Sequence, residues 1–209
     1  MTEMAFTSPA EPLPCPGFPS KPSRSTQGEE WKHRPPYKIQ TEAEFGPIKW
    51  HGNCLCGRVA YILKREKPLN AKYCHCRGCQ VAHGAPLQWA TIFHKNEMSF
   101  IHGSSNLVFY SSTHKSQEYG LPTKVSCGNC RTPIMDEGRN VCLIFPQSIE
   151  VEGSNDERRR KMELLRPTCH IFYEARMTDV PDGLPKWRGM ENDSDRLDDQ
   201  GNRIDDPSQ

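Results

Sequence analysis

Apolar positions along this chain come in short bursts, bounded by turn residues and too brief for helical periodicity. That pattern predicts strands. The segments Arg58–Leu63 (RVAYIL), Leu87–Phe93 (LQWATIF) and Leu107–Ser111 (LVFYS) are rich in aromatic and β-branched residues. Val141–Phe145 (VCLIF) is continuously apolar between Gly138-Arg-Asn and Pro146, as a strand buried on both faces would be. His170–Glu174 (HIFYE) adds another. Glycines at 103, 120, 128 and 138 punctuate the bursts. One segment reads as a helix, Asp156–Leu165 (DERRRKMELL), closed by Arg166-Pro167, with Arg158–Lys161 as a solvated face. The expected fold class is therefore mainly β, over residues 41–188.

The flanks read differently. Residues 1 to 40 hold eight of the eighteen prolines, with Ser, Thr and Gly between them. Such a stretch buries too little apolar surface to offset its ordering entropy, so a disordered leader is expected, with Cys15 a bystander in it. Residues 189–209 are acidic and lack aromatics, and a disordered, solvating tail is expected. These flanks also account for the low mean hydropathy of −0.76.

The 209 residues carry 27 Lys and Arg against 26 Asp and Glu, a net charge of +1. Bulk charge therefore points to neither nucleic acid nor an anionic membrane surface. No apolar run approaches the roughly 18 residues of a membrane span, and no secretory-type run opens the chain. The expectation is an intracellular, cytoplasmic protein. Ten cysteines in tight C-x-C and C-x-x-C spacings then favour metal over disulfides.

Seven of those cysteines fall into three groups: Cys54 and Cys56, then Cys74, Cys76 and Cys79, then Cys127 and Cys130. Four thiolates close a tetrahedral zinc site, and three leave a second zinc with one position open. Cys127-Gly-Asn-Cys130 reads as a knuckle turn, with Gly128 and Asn129 tolerating left-handed backbone. Cys54-Leu-Cys56 can present two thiols from one face of an extended segment, which would turn Leu55 toward the core. Joining these pairs gives a closed structural set. In Cys74-His-Cys-Arg-Gly-Cys79 the thiols share a face, Gly78 allows the turn, and His75 points away by the same alternation. Two alternatives stay open. A fourth ligand from His83, Cys142 or Cys169 would close the second site, and Cys54/Cys56 could instead join Cys74/Cys76. Cys142 otherwise reads as a core residue, as do Trp89, Phe93, Phe109 and Tyr110. Gln80, Trp89 and Lys95 are candidates to line a pocket beside the central knuckle.

The motifs Gly52-Asn-Cys-Leu-Cys-Gly57, Cys74-His-Cys-Arg-Gly-Cys-Gln80, Gly84, Trp89-Ala90, Gly103 and Cys127-Gly-Asn-Cys-Arg-Thr-Pro-Ile134 occur in this order. Together they resemble the glutathione-dependent formaldehyde-activating enzyme family, also called the centromere protein V family. His170-Ile-Phe and Asp182-Gly-Leu-Pro185 fit its C-terminal segment. The resemblance implies a Mss4-like fold of small antiparallel sheets pinned by zinc. It implies structural zinc at Cys54, Cys56, Cys127 and Cys130, and catalytic zinc at Cys74, Cys76 and Cys79. It also implies carbon–sulfur lyase chemistry of the S-(hydroxymethyl)glutathione synthase type, with a small thiol such as glutathione as partner. Two segments depart from the usual family pattern, Ala82-His-Gly-Ala-Pro86 and the stretch through Ser111–Glu118.

Thiol chemistry at the open position needs a proton carrier, and His75 and His83 lie close enough in sequence to be candidates. The rival reading is a non-catalytic, zinc-stabilised binding module of the centromere type. For nucleic acid that reading has only the Arg158–Lys161 run to draw on.

Overall fold

The computed structural model describes residues 29–204. The expectations for residues 1–28, including Cys15, and for residues 205–209 lie outside the described residues. The fold is mainly β, with a few short helices. One sheet is antiparallel, in the order β10-β1-β2-β5, where β1 is Trp50–Asn53, β2 Ala60–Leu63, β5 Met98–His102 and β10 Ile149–Glu150. The other runs β13-β12-β11-β3-β4-β9-β8-β7-β6. Its members are β3 Asn70–Cys74, β4 Gln88–His94, β6 Leu107–Tyr110, β7 Thr123–Cys127, β8 Pro133–Glu137, β9 Val141–Ile144, β11 Cys169–Ile171, β12 Lys186–Trp187 and β13 Arg196–Leu197. All its joins are antiparallel except β3–β11 and β11–β12.

The predicted strands appear at β2, β4, β6, β9 and β11. The last is shorter than expected, because Phe172 turns into left-handed backbone (φ 55°) and a 3-10 turn follows over Tyr173–Ala175. Among the described residues three α-helices accompany the sheets: α1 Glu42–Phe45, α2 Arg77–His83 and α3 Asn155–Glu163. In α3 the Ser154 hydroxyl accepts from the Glu157 amide and the Glu157 carboxylate accepts from the Ser154 amide, a reciprocal cap. No α3 residue is buried, so its basic run is a solvated face.

Apolar residues of both sheets meet in one core, with Tyr61, Leu63, Phe93, Met98, Phe100, Ile134 and Ile144 fully covered. Cys142 sits in it, as expected of a buried free thiol. The flanks join this core more than composition foretold. Tyr37 is buried, and Trp31 stacks on Tyr119 with ring centroids 4.4 Å apart. Residues 189–204, expected as a disordered tail, are structured. β13 pairs with β12, and the Asp199 carbonyl accepts from the Tyr173 hydroxyl at 2.8 Å.

The N-terminal attachment centres on Glu137, which is 1% exposed and accepts from Tyr37 Oη (2.6 Å), Tyr119 Oη (3.0 Å) and Lys95 Nζ (2.5 Å). Glu137→Ala is expected to cost about 3 kcal/mol, because a buried hydroxyl and a mostly buried ammonium both lose their acceptor. A denaturant midpoint lowered at unchanged slope checks this.

Candidate functional site

Cys54 follows β1 directly, and Cys54–Gly57 make a tight turn in place of the expected extended segment. The turn, closed by the Gly57 amide on the Cys54 carbonyl (2.9 Å), brings the two sulfurs to 3.5 Å. It also ejects Leu55, which is 89% exposed and not in the core, contrary to the alternation argument. Cys127 ends β7, and its amide and carbonyl close a turn with Thr132 and Arg131. The left-handed residue there is Arg131 (φ 61°), not Gly128 or Asn129. Gly128 is needed for a different reason: a Cβ would stand 2.8 Å from the Asn106 carbonyl oxygen.

These two turns bring the sulfurs of Cys54, Cys56, Cys127 and Cys130 within 4.8 Å of one another. The Cys54–Cys56 and Cys56–Cys127 separations, 3.5 and 3.9 Å, bracket the edge of about 3.8 Å for a tetrahedron with zinc–sulfur bonds of about 2.3 Å. Burial pushes the Cys54 thiol up to about 11, a penalty that a bound cation would remove. The donor set fits zinc. Cys54/Cys56 are thus grouped with Cys127/Cys130, not with Cys74/Cys76.

The second cluster is built by a strand running into a helix. Cys74 ends β3, Cys76 caps α2, and Cys79 lies in the first turn of α2. The Cys76 sulfur accepts the Cys79 amide at 3.4 Å, as a capping side chain does. The turn is therefore the start of a helix that includes Gly78, and Gly84 ends it in left-handed backbone (φ 57°). The three sulfurs lie within 4.8 Å of one another, Cys76 and Cys79 being buried and Cys74 partly so. The crowding of Cys76 against Cys74 drives the Cys74 thiol well above its ordinary value. Such a set also suits a dication. Among the described residues no other His, Cys, Asp or Glu joins this group, so His83, Cys142 and Cys169 stay outside it. Cys169 is buried beside Lys72, whose Nζ is 4.0 Å from its sulfur. None of the nine described cysteines is in a disulfide.

A cleft of about 540 Å³ is lined by sequence neighbours of both clusters, and by none of the seven cysteines themselves. Its lining includes Asn53, Leu55 and Thr132, neighbours of the four-cysteine set, together with His83 of α2, Gln88 of β4 and Phe145. Gln88 is the strand partner of Cys74. His83 packs edge-on against Phe145 at 4.6 Å, and burial lowers its pKa, while the Asp136 carboxylate partly opposes this. Trp89 also lines the cleft, as anticipated. Gln80 and Lys95 do not: the Gln80 amide donates to the Ala175 carbonyl at 2.9 Å, and Lys95 serves Glu137.

His75 faces elsewhere. It is 1% exposed, and its Nε2 lies 2.8 Å from Nδ1 of His170, whose Nε2 lies 2.9 Å from the Asp182 carboxylate. Burial lowers the His75 pKa to about 4, with the neighbouring His170 adding to the effect. Burial lowers the His170 pKa as well, against the pull of Asp182. Burial works against the charge on Asp182, yet its bonds from His170, the Leu184 amide and Lys186 outweigh that and hold its pKa below the usual range. The sequence singled out His75 and the segments that begin at His170 and Asp182, but no spacing rule joined them, since they are far apart along the polypeptide.

The sequence matches the profile of a family described as glutathione-dependent formaldehyde-activating enzyme over residues 49–175, more than half of the chain. A comparison with curated proteins gives no match. Among solved structures, a crystal structure of a Rhodobacter sphaeroides protein aligns at 19% identity over 51% of this chain and 93% of that one, with a TM-score of 0.38. Among the described residues no helix is long and apolar enough to cross a membrane.

Proposed function

The chain belongs to the glutathione-dependent formaldehyde-activating enzyme family, and on that premise we propose that it is a zinc-dependent carbon–sulfur lyase acting on an adduct of a small thiol such as glutathione. The observation that carries this reading is the three-cysteine cluster, which gathers three donors and, among the described residues, no fourth, with the cleft residues Gln88 paired to Cys74 and His83 on the helix that Cys76 caps. In this reading Cys54, Cys56, Cys127 and Cys130 hold a structural zinc, and Cys74, Cys76 and Cys79 hold a second one. A zinc bound by three thiolates supplies an electrophilic position at which the substrate's sulfur is favoured as thiolate over thiol.

The rest is the work of the chain. Trp89 and Phe145 give the cleft apolar surface beside His83. His83 is the ionisable side chain of α2 that reaches the cleft, and burial keeps its ring neutral near pH 7. Its role is to take the hydroxyl proton of a hydroxymethyl thioether. As that proton leaves, the oxygen's electron pair forms the carbonyl, the carbon–sulfur bond breaks, and its pair departs with sulfur. In the synthetic direction His83 takes the thiol's proton, the thiolate adds to the aldehyde carbon, and the resulting imidazolium gives that proton to the oxygen. His75, a candidate for the same role, has its Nε2 engaged by His170 away from the cleft lining, so we assign proton transfer to His83. Thiols gathered as metal donors rather than joined in disulfides suit a reducing, cytoplasmic setting.

Native mass spectrometry of the purified chain tests the reading. Two zinc ions and a further mass increment on adding glutathione are expected. A single zinc, or two that ignore glutathione, would favour a structural module instead.

A further inference from the structure

Resting on the reading of Cys74, Cys76 and Cys79 as a metal-holding set, we propose that His170 and Asp182 are positioning residues that hold the three-thiol knuckle in register, and that Asp199 anchors them from the segment beyond the family match.

Hydrogen-bond polarity fixes the chain in one sense. The Asp182 carboxylate only accepts, so His170 donates through Nε2. A neutral His170 then accepts at Nδ1, so His75 donates through Nε2. On the other side Lys186, 2% exposed, spends its three donors on Asp182 Oδ1 (3.1 Å), the Leu184 carbonyl (3.0 Å) and Asp199 Oδ1 (2.8 Å). Five ionisable side chains thus run without a break from His75 to Asp199.

The near end of this chain is the knuckle itself. His75 lies between Cys74 and Cys76, so fixing its ring fixes the backbone that carries two of the three sulfurs. The His75 amide adds a bond to the Ile171 carbonyl at 3.0 Å, next to His170. The third sulfur is held by α2, which Gln80 ties to the Ala175 carbonyl. All three thiols are therefore referenced to β11 and the turn after it, and β11 is held by Asp182 and Lys186. Neither His170 nor Asp182 lines the cleft, so neither contacts substrate there. Burying this many polar groups stabilises a fold less than apolar packing of the same volume, whereas it does impose one geometry. Asp199 lies outside both the family match and the Asp182–Pro185 segment that fits the family, so this outer anchor comes from the chain's C-terminal segment.

The test uses the full chain loaded with zinc, a graded chelator challenge, and alkylation of released thiols mapped by peptide mass, which shows which cluster gave up its metal. His170→Leu and Asp182→Asn are expected to release zinc from Cys74, Cys76 and Cys79 at about tenfold less chelator, with Cys54, Cys56, Cys127 and Cys130 unmoved. His170→Asn, whose Oδ1 stands where Nδ1 stood and can still accept from His75 but does not reach Asp182, is expected to restore part of the retention. Asp199 is partly exposed, so Asp199→Asn will fold even if the buried variants do not, and a smaller, selective loss at the same cluster is expected. Equal weakening of both clusters, no difference between the Leu and Asn variants, or wild-type retention in Asp182→Asn and Asp199→Asn would overturn the proposal. A wild-type chain that holds only one zinc removes the functional reading, and this proposal with it. A wild-type chain with two zincs and insensitive variants removes the proposal alone.

Discussion

Cys127→Ser is expected to leave the chain unfolded at room temperature and short of one zinc. Cys127 is fully buried, ends β7, and meets Cys56 from 71 residues away along the chain. Closing that loop through a metal removes chain entropy from the unfolded state, and serine offers no thiolate to replace the lost ligand. Structural zinc binding is worth about 10–16 kcal/mol near neutral pH, against a total stability of about 5–15 kcal/mol for a typical domain. Losing this site therefore takes away an amount comparable to the whole margin. Far-ultraviolet circular dichroism with a zinc count checks it, and chelator treatment of the wild type should give the same spectrum. A variant that melts cooperatively at the wild-type midpoint would show that the four-cysteine set is not what holds the sheets together.

The route from sequence to this prediction shows which signals were readable. Cysteine spacing needs no tertiary information, so both donor sets could be proposed from the chain alone. Strands whose side chains are apolar or β-branched, such as Val141–Ile144 and Gln88–His94, announced themselves. Asn70–Cys74 did not, because Asn70 and Lys72 are polar and its pairing with β4 and β11 comes from distant segments. Helix α2 was hidden for a related reason: its cap is a cysteine where serine or aspartate would be the usual signal, and Gly78 weakens its helical pattern. Only Gly84, at its left-handed end, gave a hint.

Errors in the other direction came from treating charge and proline as sufficient evidence of disorder. Asp199, in the expected tail, pairs with the buried Lys186 inside the fold, and composition cannot distinguish a paired carboxylate from a solvated one. Trp31 and Tyr37 lie within a proline-rich stretch, yet each finds aromatic partners across the core. Leu55 was misplaced because alternation holds only in extended backbone, and the chain turns at Cys54. His75 was placed on the far side of the knuckle correctly, but nothing local could say that His170 waits there.

Cys76→Ser separates architecture from chemistry more cleanly than any other change at the second cluster. The Cys76 sulfur does two jobs: it accepts the Cys79 amide at the head of α2, and it is one of three metal donors in the proposed function. Serine does the first job at least as well, since its hydroxyl is among the preferred helix caps. It does the second poorly, because zinc in such a set is held by thiolate. The variant is therefore expected to keep its sheets and the four-cysteine zinc, with a thermal midpoint within about 5 °C of the wild type. Its turnover of a glutathione–aldehyde adduct should fall at least about 100-fold, and the glutathione mass increment should vanish, because the open position disappears with the metal. Thermal melting, zinc stoichiometry and steady-state rates on one preparation are enough to read this. Wild-type turnover in a folded variant would remove the lyase reading. A loss of stability as deep as that of Cys127→Ser would instead make the central knuckle a second structural site, leaving the cleft without a reactive metal beside it.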